Sequence, residues 1–339
     1  MKQKLRSPNI FFLYIFIYIF YITYGTGLHS DDWNILSNNK TLSEYLFQEG
    51  GSKFLLNIIT FLIYYLEFKF FELNYIFLYD AIKALIIFFA YISCYIFLNN
   101  FYNKKISIIL SLTFILLPNH DSTLFWVMGQ YTLIAFSFLF LSIHFFYNNK
   151  KIYLGIFFGI LGVFTGYGSP PILFGLSIIL LLKKKYKYFF LFLLPLIIYL
   201  IFYFYITFNS NSNDFRLNII SNETLITQLL SNYIIQLLSF VDANLGPSFL
   251  LKFIFGILNI NLLSFVISFP FIYLIFKSTE FTKFDISHKI LIFATLLILL
   301  SSLFVFALTG KYPQISFGLG NRVTLYASLF VVILIYSLI

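Results

Sequence analysis

The sequence predicts an all-α fold, a polytopic transmembrane helical bundle of about ten spans, and three observations carry that prediction. Of its 339 residues, 60% are hydrophobic and only 10% are charged, a balance that leaves too little polar material to coat a soluble domain. Apolar runs long enough to cross ~30 Å of hydrocarbon recur along the whole chain. The basic residues gather in every second connection between those runs, as the positive-inside rule demands of a multi-pass protein. A β-barrel would show short alternating segments instead.

The spans are expected near residues 8–24, 75–98, 106–118, 124–147, 152–166, 170–182, 188–208, 249–276, 290–309 and 323–339. The first is too long in its apolar core, and lacks the small-residue cleavage site, to be an ordinary signal peptide. Lys2, Lys4 and Arg6 precede it; Lys104 and Lys105, Lys150 and Lys151, Lys183, Lys184, Lys185 and Lys187, then Lys277, Lys283 and Lys289 fill alternate connections. These are 14 of the 22 basic residues, and they assign their side to the cytoplasm. The net charge of +9 thus orients the chain in a membrane and is not a nucleic-acid footprint. Asp31, Asp32, Glu44, Glu49, Asp121, Asp214, Glu223 and Asp242 fall in the outward connections; Glu280 and Asp285 are inward exceptions.

Counting 41–72 as a span would break this alternation, so it is expected to form interfacial helices in the first outward loop, with Lys53 and Lys69 reaching toward water. Residues 225–245 fail the same parity test and are read as another outer helix. One transmembrane domain over 1–339 is expected, without internal repeats, and the end of the sequence inside an apolar run suggests a chain clipped at its C-terminus. The lone Cys94 lies in an apolar run and has no disulfide partner.

Unusual polarity concentrates in three outward connections: "HSDDW" (29–33), "LLPNHDSTLFWVMGQY" (116–131) and "TGKYPQISFGLGNRVTLY" (309–326), with "FTGYGSPPI" (164–172) on the same side. Asp31 and Asp32 have two readings. Either caps a helix starting at "WNILS"; yet adjacent residues cannot both cap one helix, and carboxylates at a membrane boundary are costly unless used. One can then act as a general base while the other tunes it. His120-Asp121 after Pro118 suits a solvated turn or a polar pocket. Trp126 is either an interfacial anchor or a face for a sugar ring. Arg322, between Gly318, Gly320 and the last span, either snorkels or offers paired hydrogen bonds to a phosphate, with Lys311 nearby. Asp80 and Lys83, at i and i+3, suit a local ion pair. Walker, Rossmann, HExxH, CxxC and GxSxG motifs are absent from the sequence.

In order, these elements resemble the GT-C class of integral-membrane glycosyltransferases, over roughly residues 8–182 with a fainter echo at 309–330. The matching pieces are a first span followed by "SDDWNIL", then "SKFLLNIITFLIYYL" with Lys53 as the base but no proline, then "LYDAIKALIIFFAYISCYIFLNNFYNKK". Pro118, His120, Trp126 and Gly129 follow, with Gln130 where an arginine is usual. The resemblance implies a polyprenyl-phosphate-linked sugar donor and a glycan, glycolipid or protein acceptor. It implies a site at the outer face of a bacterial inner or plasma membrane, for the building of a cell-surface glycan. Asp31 or Asp32 would be the catalytic base. His29, Lys53, His120, Asp121, Trp126, Gln130, Lys311 and Arg322 would bind substrate, Arg322 with Lys53 or Lys311 meeting the leaving phosphate. Mg²⁺ or Mn²⁺ on Asp31, Asp32 and Asp121 is compatible, although the spacing does not demand it. A transporter or flippase of lipid-linked saccharides is the alternative from another class, and a glycan polymerase or ligase a third reading.

Overall fold

The computed structural model describes residues 8–29, 32, 58, 76–166, 168–209, 225–277, 286–310 and 312–338. All regular structure among them is helical: α1 (Pro8–Thr23), α2 (Ile76–Leu98), α3 (Lys104–Leu116), α4 (Val127–Tyr147), α5 (Ile152–Thr165), α6 (Ser169–Leu182), α7 (Tyr186–Asn209), α8 (Leu225–Leu245), α9 (Pro247–Leu258), α10 (Leu262–Lys277), α11 (Ile286–Thr309) and α12 (Leu325–Leu338). Single turns at Pro118–His120, Ser122–Phe125 and Leu319–Thr324 punctuate the connections.

Six stretches among the described residues are long and apolar enough to cross a membrane: Phe77–Leu98, Gly129–Tyr147, Tyr186–Tyr205, Ile226–Leu258, Ile286–Leu308 and Leu319–Leu338. They mark a multi-pass helical membrane protein. The ten expected spans are met only in part, because Phe11–Thr23, Ile152–Thr165, Ser169–Leu182 and Leu262–Tyr273 are apolar but shorter. The span expected at 249–276 is broken. α9 ends at Leu258 with Asn259 as its cap, and Asn261 Oδ1 accepts the Ser264 N–H at 2.7 Å to start α10. Two asparagines two positions apart hold backbone groups that a continuous helix would bond internally. The interfacial helices expected at 41–72 fall outside the described residues.

The helix ends sort into two sets. At one end Asn148 donates to Asn100 Oδ1 (2.9 Å), Lys185 to Tyr147 O (2.5 Å) and Lys183 to Ser287 Oγ (3.1 Å). There too His288 bridges the Tyr102 hydroxyl (2.5 Å) and Ser337 Oγ (2.8 Å). This end carries Lys104, Lys105, Lys150, Lys151, Lys183, Lys184, Lys185, Lys187 and Lys289. The opposite end, called outer here, gathers the connections after α1, α3, α5 and α11. α8 runs along α11: Asn244 Nδ2 donates to Gln314 Oε1 (3.1 Å) and Asn232 to Ala307 O (3.1 Å) at that end, and the Tyr233 hydroxyl reaches Leu300 O (3.5 Å) farther down. The outer helix expected at 225–245 instead forms, with α9, an apolar stretch long enough to cross a membrane.

Between the ends, α4 and α5 pack closely because small residues face large ones. A Cβ on Gly155 would come within 2.7 Å of the Phe146 ring, and one on Gly162 within 2.6 Å of Leu139. Close approach of this kind replaces the hydrophobic drive that lipid does not supply. Phe97 and Phe140 stack at 4.8 Å between α2 and α4, with Phe114 of α3 edge-on to Phe136 at 5.7 Å. A rigid centre of rings therefore fixes where the outer connections emerge.

Candidate functional site at the outer end

The connection after α1 is anchored by a buried ion pair on α2. Lys83 Nζ lies 2.8 Å from Asp80 Oδ1, with the side chains 0% and 1% exposed. Lys83 also donates to Thr26 Oγ1 (2.5 Å) and Gly27 O (2.8 Å), while Asp80 Oδ2 accepts the Gly25 N–H (2.7 Å). Gly25 and Gly27 have φ of 76° and 62°, a left-handed backbone that glycine adopts without strain. The pair is thus local, as the i,i+3 spacing implies, and it pins the chain that leads into the acidic dipeptide.

Asp32 is fully buried. Its Oδ2 accepts the His29 N–H at 2.9 Å, and its own N–H donates to His29 O at 3.0 Å. The two residues thus bond reciprocally, side chain to backbone in one direction and backbone to backbone in the other. The helix at "WNILS" that either aspartate was expected to cap lies outside the described residues. Asp31, Lys53 and Lys311 lie outside the described residues.

The second and third connections meet directly. Asn321 Oδ1 accepts the Ser122 N–H (3.1 Å), and Asn321 Nδ2 donates to Asp121 Oδ1 (2.6 Å) and Ser316 O (3.2 Å). The other oxygen of Asp121 pairs with Lys252 Nζ of α9 at 2.9 Å, the side chains being 35% and 11% exposed. Lys252 also donates to Ser316 O and sits 5.5 Å from the centre of the Phe317 ring. Arg322 lies 4.8 Å over the Trp126 ring and 5.4 Å over Tyr312, and donates to Leu319 O at 3.1 Å. Its planar guanidinium is held flat on aromatic faces, which lysine could not imitate. Trp126 is 4% exposed and its ring is covered by Arg322, so it offers a ligand no open face for stacking.

His120 is also buried, so it belongs to the interior of the hairpin and not to a solvated turn. Nε2 pairs with Phe114 O (2.9 Å) and Nδ1 with the Thr123 hydroxyl (3.1 Å). Burial pushes its pKa from 6.5 down to about 4, against the smaller upward pull of the Phe114 carbonyl. Because the folded value lies below the ordinary one, its stabilisation is intact above pH 6.5. It is lost as pH falls from 6.5 toward 4, to about 3 kcal/mol in full. A melting series across that window is expected to show the loss, and His120→Gln to flatten it; an unchanged slope in the variant would place the titrating group elsewhere.

Several buried polar atoms around these contacts have no hydrogen-bond partner: His29 Nε2, Ser122 Oγ, Trp126 Nε1, Gln130 Oε1 and Ser169 Oγ. Gln130 Nε2 spends its donors on Leu124 O (3.3 Å) and Lys83 O (3.5 Å), so its amide ties α2 to the second connection. The fourth connection closes the group, since a Cβ on Gly168 would fall 2.0 Å from the Tyr326 hydroxyl. No three His, Cys, Asp or Glu residues gather as a metal site among the described residues. Asp121 fits a divalent cation poorly, because Lys252 already neutralises it and Asn321 occupies its second oxygen.

Sequence reasoning missed Asn321, Lys252 and Tyr312. Lys252 was visible as a charge inside an apolar span, and Asn321 stands beside Arg322 in the glycine-flanked turn, but neither pattern names a partner. No known protein family, curated protein or solved structure matches this chain.

Proposed function

We propose that this chain is a membrane glycosyltransferase that moves a sugar from a polyprenyl-phosphate carrier to an acceptor hydroxyl, at the periplasmic or external face of a bacterial membrane. The observation that carries the reading is the set of buried atoms without a hydrogen-bond partner beside the Arg322–Trp126 contact, Ser122 Oγ, Trp126 Nε1 and Gln130 Oε1. Unpaired buried polar groups are rare and expensive, and a polyhydroxylated ring satisfies both donors and acceptors. Asp31, next to the buried Asp32, is the general base in this reading. It takes the proton of the acceptor hydroxyl; that oxygen bonds to the anomeric carbon as the bond from that carbon to the phosphate oxygen breaks, inverting the centre. The lipid phosphate leaves with the electron pair, and Arg322 meets its charge.

The test is transfer of a labelled sugar from a polyprenyl-phosphate donor by purified protein in nanodiscs. Arg322→Ala is expected to lower turnover about 100-fold, and Arg322→Lys to recover little of it, because an ammonium gives no paired planar contact. Movement of an intact fluorescent glycolipid between leaflets, with no sugar transferred, would instead favour the flippase reading.

A further inference from the structure

An apolar cleft of about 260 Å³ opens between α1, α3 and α10. Tyr18, Ile109, Leu116, Phe271 and Ile272 line it, and Pro118 stands at its outer end. It follows α3 from Ile108 to Pro118, a depth of roughly 15 Å at helical rise. The cleft lies where α10, tied to α1 by polar and ring contacts, only brushes α3. The Tyr14 hydroxyl donates to Ile267 O (2.5 Å), and the Tyr18 and Phe271 rings meet at 4.8 Å. One face of α3 is left uncovered.

A cation sits above this cleft. Pro118 begins the turn that places Asp121 against Lys252, and α9, which bears Lys252, continues through residues 259–261 into the α10 wall. No residue of α9 is buried. At its start the Ser248 hydroxyl donates to Asp242 Oδ2 of α8 (2.6 Å), and one turn on Lys252 touches Asp121, Ser316 and Phe317.

We propose that the cleft and Lys252 form one binding site for a single-chain lipid phosphate, whose chain lies along α3 while its phosphate takes Lys252 from Asp121. The inference rests on the transferase reading, and it names where the donor's chain and phosphate sit. The lining is apolar and runs along a single helix face, the shape one extended hydrocarbon chain fills. The carboxylate keeps the ammonium compensated in the empty site, where a lone charge would be costly. A phosphate brings more charge and more acceptor oxygens than the carboxylate it displaces.

The test uses a diazirine-tagged isoprenyl phosphate with the full chain in phosphatidylcholine nanodiscs, read as saturable photolabelling and the labelled peptide. Labelling is expected on α3 and α10. Ile109→Trp and Ile272→Trp, from opposite walls, should each abolish it, with melting confirming that the variants fold. Lys252→Met is expected to weaken binding about tenfold, the loss of one charge-assisted contact. Asp121→Asn removes the competitor and should tighten binding severalfold. Weaker binding in Asp121→Asn would overturn the proposal, since a bridge that merely holds α9 in place loses in both variants. So would labelling that survives both tryptophans, or equal competition by two-chain phosphatidylglycerol. No sugar is transferred in this experiment, so a failed transfer assay leaves its result standing, and loss of labelling leaves the transferase reading open to its own test.

Discussion

Lys83→Met is expected to destabilise the protein by about 3–5 kcal/mol, the usual penalty for stranding one charge of a buried pair. Asp80 would keep the Gly25 N–H and the Thr26 hydroxyl as donors but would lose the ammonium at 2.8 Å. The double variant Asp80→Asn, Lys83→Met should lose less than the sum of the two singles, because neither charge is then left alone. Chemical unfolding in mixed micelles reads both effects. Hydrogen exchange should also report loosening of residues 23–29 before the rest of the bundle, since Lys83 and Asp80 hold Gly25, Thr26 and Gly27. A loss below about 1 kcal/mol, the range of exposed pairs, would mean that water reaches the site.

Asp31→Asn and Asp32→Asn are expected to part company. On the transferase reading Asp31→Asn lowers sugar transfer by about 10²–10⁴-fold, the contribution of one positioned base, with melting unchanged. Asp32→Asn acts through stability: its buried carboxylate accepts the His29 N–H, and weakening such a bond costs about 1 kcal/mol. Its transfer rate should then follow the folded fraction. Measuring turnover and melting on the same two preparations decides the matter. Full activity in Asp31→Asn would move the base elsewhere, and a well-folded but inactive Asp32→Asn would reverse the assignment.

Much of the architecture was legible because bilayers impose one-dimensional rules. A helix that crosses must be apolar over a set length, and its flanking lysines choose a side. The connections carrying Lys104, Lys150, Lys183 and Lys289 do assemble at one end, and those carrying His29, Asp121 and Arg322 at the other. The Asp80–Lys83 pair was readable from its spacing because i and i+3 side chains share a helix face. The break at Asn259 and Asn261 was not, since asparagine in an apolar run weakens a helix without ending it unless both side chains find backbone partners.

At the outer end, sequence alone determined that acids and rare polar residues cluster there, because hydrocarbon excludes them from the spans. Only the tertiary structure decided which of them meet. Asp121 finds Lys252 from 131 positions along the chain and Asn321 from 200; Trp126 is capped by Arg322, and Asp32 accepts the His29 N–H. Hydropathy acts on each segment separately and so leaves its trace in local composition. Partner choice depends on how helices tilt and pack against one another, and that is a property of pairs of segments that no single stretch of sequence carries.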